Sequence, residues 1–158
     1  METETVHNWM TFPPATLTRQ TKWRVENETR LVLKLSASTL HQGVWTFRPE
    51  SVIRPGQTVT FTARSSAPFG GVRGKVSYES DAGEFTFCFE NPGLFGSING
   101  TVDYAIDAGE FTFTWKNPAF RSPDFQVGEP AGYEVLTDDR SEIDQVLTSR
   151  IVKLSDDD

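Results

Sequence analysis

Val76-Ser77-Tyr78-Glu79-Ser80-Asp81-Ala82-Gly83-Glu84-Phe85-Thr86-Phe87-Cys88-Phe89-Glu90-Asn91-Pro92 recurs 26 residues further on, as Val102-Asp103-Tyr104-Ala105-Ile106-Asp107-Ala108-Gly109-Glu110-Phe111-Thr112-Phe113-Thr114-Trp115-Lys116-Asn117-Pro118. Asp-Ala-Gly-Glu-Phe-Thr-Phe is identical in both copies, and so is the closing Asn-Pro; chance explains that poorly at one offset. Apolar residues alternate on both sides of the shared Asp-Ala-Gly, so each copy reads as a β-hairpin. Parity then constrains the register. Val76, Tyr78 and Ser80 share a face with Phe85, Phe87 and Phe89 only if opposing residue numbers sum to an odd value. A two-residue loop at Ala82-Gly83 satisfies this, as does a four-residue loop at Ser80–Gly83. In the second copy the same rule joins Val102, Tyr104 and Ile106 to Phe111, Phe113 and Trp115.

Upstream, Leu31, Leu33 and Leu35 alternate with polar or smaller residues, and Val59, Phe61 and Ala63 alternate with threonines. Both patterns describe strands with one buried face. Arg54-Pro55-Gly56-Gln57 is a turn, because proline presets φ and glycine accepts a positive one. Gly70-Gly71 and Gly74 mark a loop. Downstream, Tyr133–Leu136 reads as a strand. Over Ser141–Leu154 the spacing of Ile143, Val146 and Leu147 is helical, whereas Ile151-Val152 favours a strand, so one short C-terminal helix is an expectation there. The whole predicts an all-β chain: an antiparallel sandwich of about eight to ten strands over residues 23–154. An N-terminal arm over 1–22 and an acidic tail over 155–158 flank it.

A net charge of −7 and a pI near 4.8 disfavour a phosphate backbone as partner, so no nucleic-acid binding is expected. Cys88 is the one cysteine, which excludes an intrachain disulfide. It faces away from Phe87 and Phe89 and reads as a small strand residue. The first residues lack the basic stretch and apolar run of a signal peptide. The expected location is therefore cytoplasmic, or outside the cell after release without such a signal, and peripheral to membranes when bound. The sequons at Asn27-Glu28-Thr29 and Asn99-Gly100-Thr101 are expected to be unused in that setting.

Catalytic patterns are weak. Asp81/Glu84 and Asp107/Glu110 flank turn tips rather than a cleft. Asp138, Asp139, Glu142 and Asp144 lack EF-hand spacing. His7 and His41 are the only histidines, with no zinc or serine-triad motif around them. Gly70-Gly71-Val72-Arg73-Gly74 precedes a strand rather than a helix, unlike a phosphate loop. No enzyme, cofactor or metal is expected. What remains is a set of apolar residues on glycine- and proline-rich loops: Trp45, Phe69, Leu94, Phe95 and Phe120. Such residues suit recognition of lipid or a protein partner, since one end is buried while the other stays wet.

Val25–Thr29 with Leu31 and Leu33, Leu40-His41-Gln42-Gly43-Val44-Trp45 and Pro49–Gly56 resemble the opening of the aegerolysin-like family. Phe85–Pro92 with Gly96-Ser97-Ile98-Asn99 resembles that family's aromatic strand and its Asn-Pro…Gly-Ser-Asn loop. The likeness spans roughly 25–115, and this chain departs from it at Phe89, where tryptophan is common, and at the inserted Ile98. It implies an actinoporin-like β-sandwich, related to bacterial crystal proteins. It also implies peripheral binding to membrane lipid such as sphingomyelin with cholesterol or ceramide phosphoethanolamine. A cytolytic or toxin-associated role with a larger pore-forming partner protein goes with it. A protein- or glycan-binding module and a self-associating structural protein are the alternatives, and oligomeric state is left open.

Overall fold

The computed structural model describes residues 19–68, 70–93, 99–106, 109–116, 123–141 and 144–154. Twelve strands occur among them: β1 (Gln20–Asn27), β2 (Leu33–Gln42), β3 (Val44–Phe47), β4 (Val52–Ile53), β5 (Thr58–Arg64), β6 (Val72–Ser80), β7 (Gly83–Asn91), β8 (Asn99–Ile106), β9 (Gly109–Lys116), β10 (Asp124–Gly128), β11 (Tyr133–Asp139) and β12 (Gln145–Lys153). One sheet runs β11-β12-β1-β5-β3 and a second runs β10-β7-β6-β2-β4, while β8 and β9 pair with each other as a third. The fold is an all-β sandwich. The count passes ten because pieces such as the two-residue β4 are too short to show a period in sequence.

The expected C-terminal helix does not form. Gln145, Leu147, Ser149 and Ile151 are all buried and alternate along β12, which is a period of two. Two of the four are polar, which hid the pattern. Gln145 accepts a hydrogen bond from the Thr21 hydroxyl at 2.7 Å and donates to the Asp124 carbonyl at 2.9 Å, and Ser149 accepts one from the Trp23 indole at 2.8 Å. Satisfied in this way, both can be buried without the usual penalty. β12 lies parallel to β1 and antiparallel to β11, so the sandwich holds one parallel pair.

The core between the two large sheets is aromatic. Trp23 on β1 is fully buried, with ring centroids of Phe87 at 5.2 Å, Phe125 at 5.7 Å, Phe61 at 6.1 Å and Phe89 at 6.2 Å. Leu33, Val59, Phe61, Ala63, Val76, Tyr78 and Phe85, all expected on inward faces, are buried with it. At Arg54–Gln57, Gly56 has φ 80° and Gln57 N–H bonds the Arg54 carbonyl at 3.0 Å, closing the expected turn.

Both hairpins obey the parity rule and share one register. Val76 faces Phe87 and Ser80 faces Gly83, while Val102 faces Phe113 and Ile106 faces Gly109. This is the register of the longer loop option, tightened so that Asp81-Ala82 form the first turn. The two copies serve different layers. The first lends Phe85, Phe87 and Phe89 to the sandwich core, and its opposite face carries Cys88. The second lies against that opposite face, burying Tyr104 and Phe113 with Cys88 in a cluster of its own.

The shared turn allows a direct comparison. Gly83 and Gly109 have φ of 133° and 130°, but a Cβ at Gly83 would sit 2.7 Å from Pro130 Cβ, whereas none would meet anything within 4 Å at Gly109. Alanine at either site carries backbone strain of order 1–3 kcal/mol. At Gly83 overpacking adds roughly 1–3 kcal/mol. Urea unfolding should therefore rank Gly83→Ala below Gly109→Ala in stability; equal losses would contradict the packing of Pro130 on the first turn.

Candidate functional site

The strand ends from which the apolar loops depart meet at one end of the sandwich. A Cβ at Gly71, just before β6, would lie 2.8 Å from Gly93 N and 2.9 Å from the Asn91 carbonyl, at the end of β7. Asn91 Nδ2 donates to the Gln20 carbonyl at 3.0 Å, bringing in β1, and Gln145 links β12 to the start of β10 through Asp124. A Cβ at Gly43, between β2 and β3, would fall 2.7 Å from the Arg64 carbonyl at the end of β5. Glycine is needed at Gly71 because the backbones approach too closely for a side chain. The Gly70–Gly74 stretch is thus a packing feature, and Asn91 is a tie rather than a ligand group.

Phe69, Leu94, Phe95 and Phe120 lie outside the described residues. Trp45 is half-buried and turned inward, edge-on to Phe61 at 5.9 Å and near Phe89 at 6.4 Å. Two residues on, Phe47 is 67% exposed. Residues two apart on a strand share a face, but the register slips between Trp45, opposite Ala63, and Phe47, opposite Thr62. The bulge at Thr46 sends Phe47 to the outer face of the sheet. There it lines a shallow depression with Lys22, Arg48, Glu50 and Thr60. Sequence reading missed Phe47 because nothing local announces the bulge.

Several groups with chemical potential are structural. Asn27 is buried; its Nδ2, the glycan-accepting atom of a sequon, donates to the carbonyls of Leu31 at 2.8 Å and Ile53 at 3.3 Å. Tyr78 donates to the Glu50 carbonyl at 2.6 Å, and burial followed by the Glu50 charge pushes its phenol well above its ordinary range. Burial pushes the Cys88 thiol up to about 12, so it is no nucleophile. At the first hairpin tip Glu84 accepts a hydrogen bond from Ser36 at 2.5 Å. Among the described residues no three His, Cys, Asp or Glu side chains cluster as metal ligands.

A cleft of about 220 Å³ separates the outer face of the second sheet from the second hairpin. Thr39 and His41 of β2 and Arg73 and Lys75 of β6 form one wall; Val102, Asp103, Tyr104, Ala105 and Ile106 of β8 form the other. His41 is the extra residue of a bulge between Leu40, opposite Gly74, and Gln42, opposite Arg73. Its ring lies 5.4 Å from that of Tyr104, which stands edge-on to Phe113 at 5.3 Å. The Tyr104 hydroxyl reaches the Phe89 carbonyl at 3.4 Å, and burial, then Glu90, holds the phenol protonated far above its usual range. Partial burial, then Arg73 and Lys75, lowers His41 from 6.5. As pH falls through 6.5 the unfolded chain takes this proton first, so His41 removes stability below that pH and costs nothing above it.

No protein-family model matches the sequence, and no curated protein matches it. Solved structures do. The chain has the fold of IP-1A from Alcaligenes faecalis, at a TM-score of 0.57 and 10% identity, covering 90% of this chain and 94% of that one. It is similar also to the lipid-binding protein Nakanori, at a TM-score of 0.58 and 12% identity, covering 96% of this chain and 78% of that one. At such identities the likeness is one of fold. It extends over almost the whole chain.

The second hairpin's cover of Cys88 gives a chemical readout. The folded chain should react slowly with a thiol reagent near neutral pH. Phe113→Ala should speed labelling by roughly tenfold or more, each ~1.4 kcal/mol of lost docking giving a factor of ten. An unchanged rate would mean that the hairpin does not shield the thiol.

Proposed function

We propose that this chain is a non-enzymatic, aegerolysin-like β-sandwich that docks peripherally on membrane lipid through apolar loops at one end. The observation that carries the reading is whole-length fold similarity to a lipid-binding protein. The geometry supports it. The ends of β5, β6, β7 and β10 converge where the segments that carry Phe69, Leu94, Phe95 and Phe120 leave the described structure. Trp45 backs that end from inside, so its role is to stiffen the rim. Burying three loop aromatics contributes ~4.5–9 kcal/mol gross, at ~1.5–3 kcal/mol each. Ordering and orientation reduce that figure to the range of reversible docking.

An acidic surface adds no attraction for anionic lipid, so apolar insertion and head-group recognition carry the binding. On the same reading, membrane damage requires a larger pore-forming partner that this chain directs to its lipid.

Co-sedimentation with a liposome panel, including sphingomyelin/cholesterol and phosphatidylcholine alone, tests the proposal. Binding to at least one composition is expected, and none at all would sink it. Phe95→Ala and Phe120→Ala should each weaken binding by roughly ten- to a hundredfold, as loss of ~1.5–3 kcal/mol implies, without lowering the melting temperature. Dye release from the vesicles that bind reads whether docking alone permeabilises them.

A further inference from the structure

The cleft between the second sheet and the second hairpin is unlike the rest of this acidic molecule. Thr39, His41, Arg73 and Lys75 supply four hydrogen-bonding side chains along one wall, and no carboxylate belongs to that wall. Arg73 and Lys75 are two apart on β6 and so share a face; Thr39 sits directly opposite Lys75. The facing wall is largely apolar, with Val102, Tyr104 and Ile106.

Two carboxylates stand nearby, and both are engaged. Glu90 on β7 lies beneath Arg73, Oε1 to Nε at 3.9 Å, and offsets that charge. Asp103 on the hairpin accepts a hydrogen bond from the Thr112 hydroxyl at 2.9 Å, across to β9. Lys75 has no ion-pair partner among the described residues. Arg73 Nε is buried without a hydrogen-bond acceptor, since 3.9 Å to Glu90 exceeds hydrogen-bond reach. A third of the Arg73 side chain remains exposed. A pocket of about 220 Å³ is smaller than those that take drug-sized ligands. It is too narrow for a nucleic-acid strand, which the net charge of −7 would also repel.

We propose that this cleft binds a phosphate group, with Lys75 as its counter-charge, Arg73, Thr39 and His41 as donors, and the Tyr104 wall against the organic substituent. The inference goes beyond loop docking and does not depend on it, because the phosphate has two possible sources: a lipid head group or a free phosphorylated small molecule. Bound phosphate also reverses the electrostatics at His41. The groups facing that ring are Arg73 and Lys75 on β6 and Tyr104 on β8, with Asp103 of β8 lining the same cleft and Glu90 of β7 beneath Arg73. The two cations disfavour its proton, and a phosphate between them restores it.

The test uses the full chain and imidazole NMR, with a His41→Gln variant to assign the His41 signal. Titrations are run at constant ionic strength in chloride, inorganic phosphate and glycerol 3-phosphate. The His41 midpoint should rise with either phosphate relative to chloride. Lys75→Met, at a half-buried position lining the cleft, should remain folded by circular dichroism and bind phosphate roughly tenfold more weakly or worse, as loss of a charge-assisted hydrogen bond implies. An unmoved His41 midpoint overturns the proposal, as does Lys75→Met responding like the parent chain. Vesicles then separate the sources. If Lys75→Met loses binding to phosphatidylcholine but not to glycosyl diacylglycerol, the phosphate belongs to a lipid head group. If it binds both like the parent while its phosphate response is gone, the ligand is a free phosphorylated molecule. Should no vesicle bind the parent chain, loop docking fails while the phosphate titration still stands or falls by itself.

Discussion

Trp23 holds the two large sheets at a common distance, and most of the other positions follow from that. Its indole sits on the middle strand of one sheet and is met edge-on by Phe87 and Phe89 of β7 and by Phe125 of β10 in the other. Ring edges against ring faces are the arrangement that aromatic quadrupoles favour. The one polar atom of the ring is satisfied by Ser149, whose own oxygen is shared with Thr137 on β11 at 2.7 Å. Three neighbouring strands of the first sheet are thereby tied through one side chain. Because β7 is fixed by Phe87 and Phe89 facing inward, Cys88 and Glu90 must face outward. That outward face is what the second hairpin covers, beside the β2 and β6 residues that line the cleft.

The repeat shows how one sequence pattern serves two physical situations. In the first copy the alternation of aromatic with small or polar residues feeds both faces, since each is covered: Phe85 and Phe87 by the opposite sheet, Thr86 and Cys88 from outside. In the second copy one face is buried, by Tyr104 and Phe113, while Asp103, Thr112 and Thr114 are exposed. The same register is kept in both, because register follows from parity and from the turn, neither of which depends on what lies above or below the strands.

How much of this was legible in the sequence varies with the type of feature. Strands whose inward residues are apolar, such as Val59, Phe61 and Ala63, could be read directly, and so could the parity of both hairpins. β12 could not, because Gln145 and Ser149 occupy inward positions and only partners on Thr21, Trp23 and Asp124 make them tolerable there. Phe47 was hidden by a bulge that changes the meaning of an i, i+2 spacing. The cleft was hidden more deeply. Its side chains come from residues 39–41, 73–75 and 102–106. Only the stacking of one repeat on the other brings the last group to the first two. Of the loop residues named from composition, Trp45 turned out to be half inside the core.

The parallel pairing of β1 with β12 also sets an order of events during synthesis. Thr21 and Gln145 are joined across 124 residues. Strand β1 can pair with β5 early, but its other edge stays open until residues 145–153 have been made. Until then Trp23 lacks the serine that satisfies its N–H, and a row of backbone donors and acceptors is exposed along a strand whose inward face carries Trp23 and Val25. Such long-range closure slows folding and leaves the nascent chain open to pairing with its neighbours. A truncation that removed β12 would therefore yield an aggregating sheet rather than a smaller sandwich.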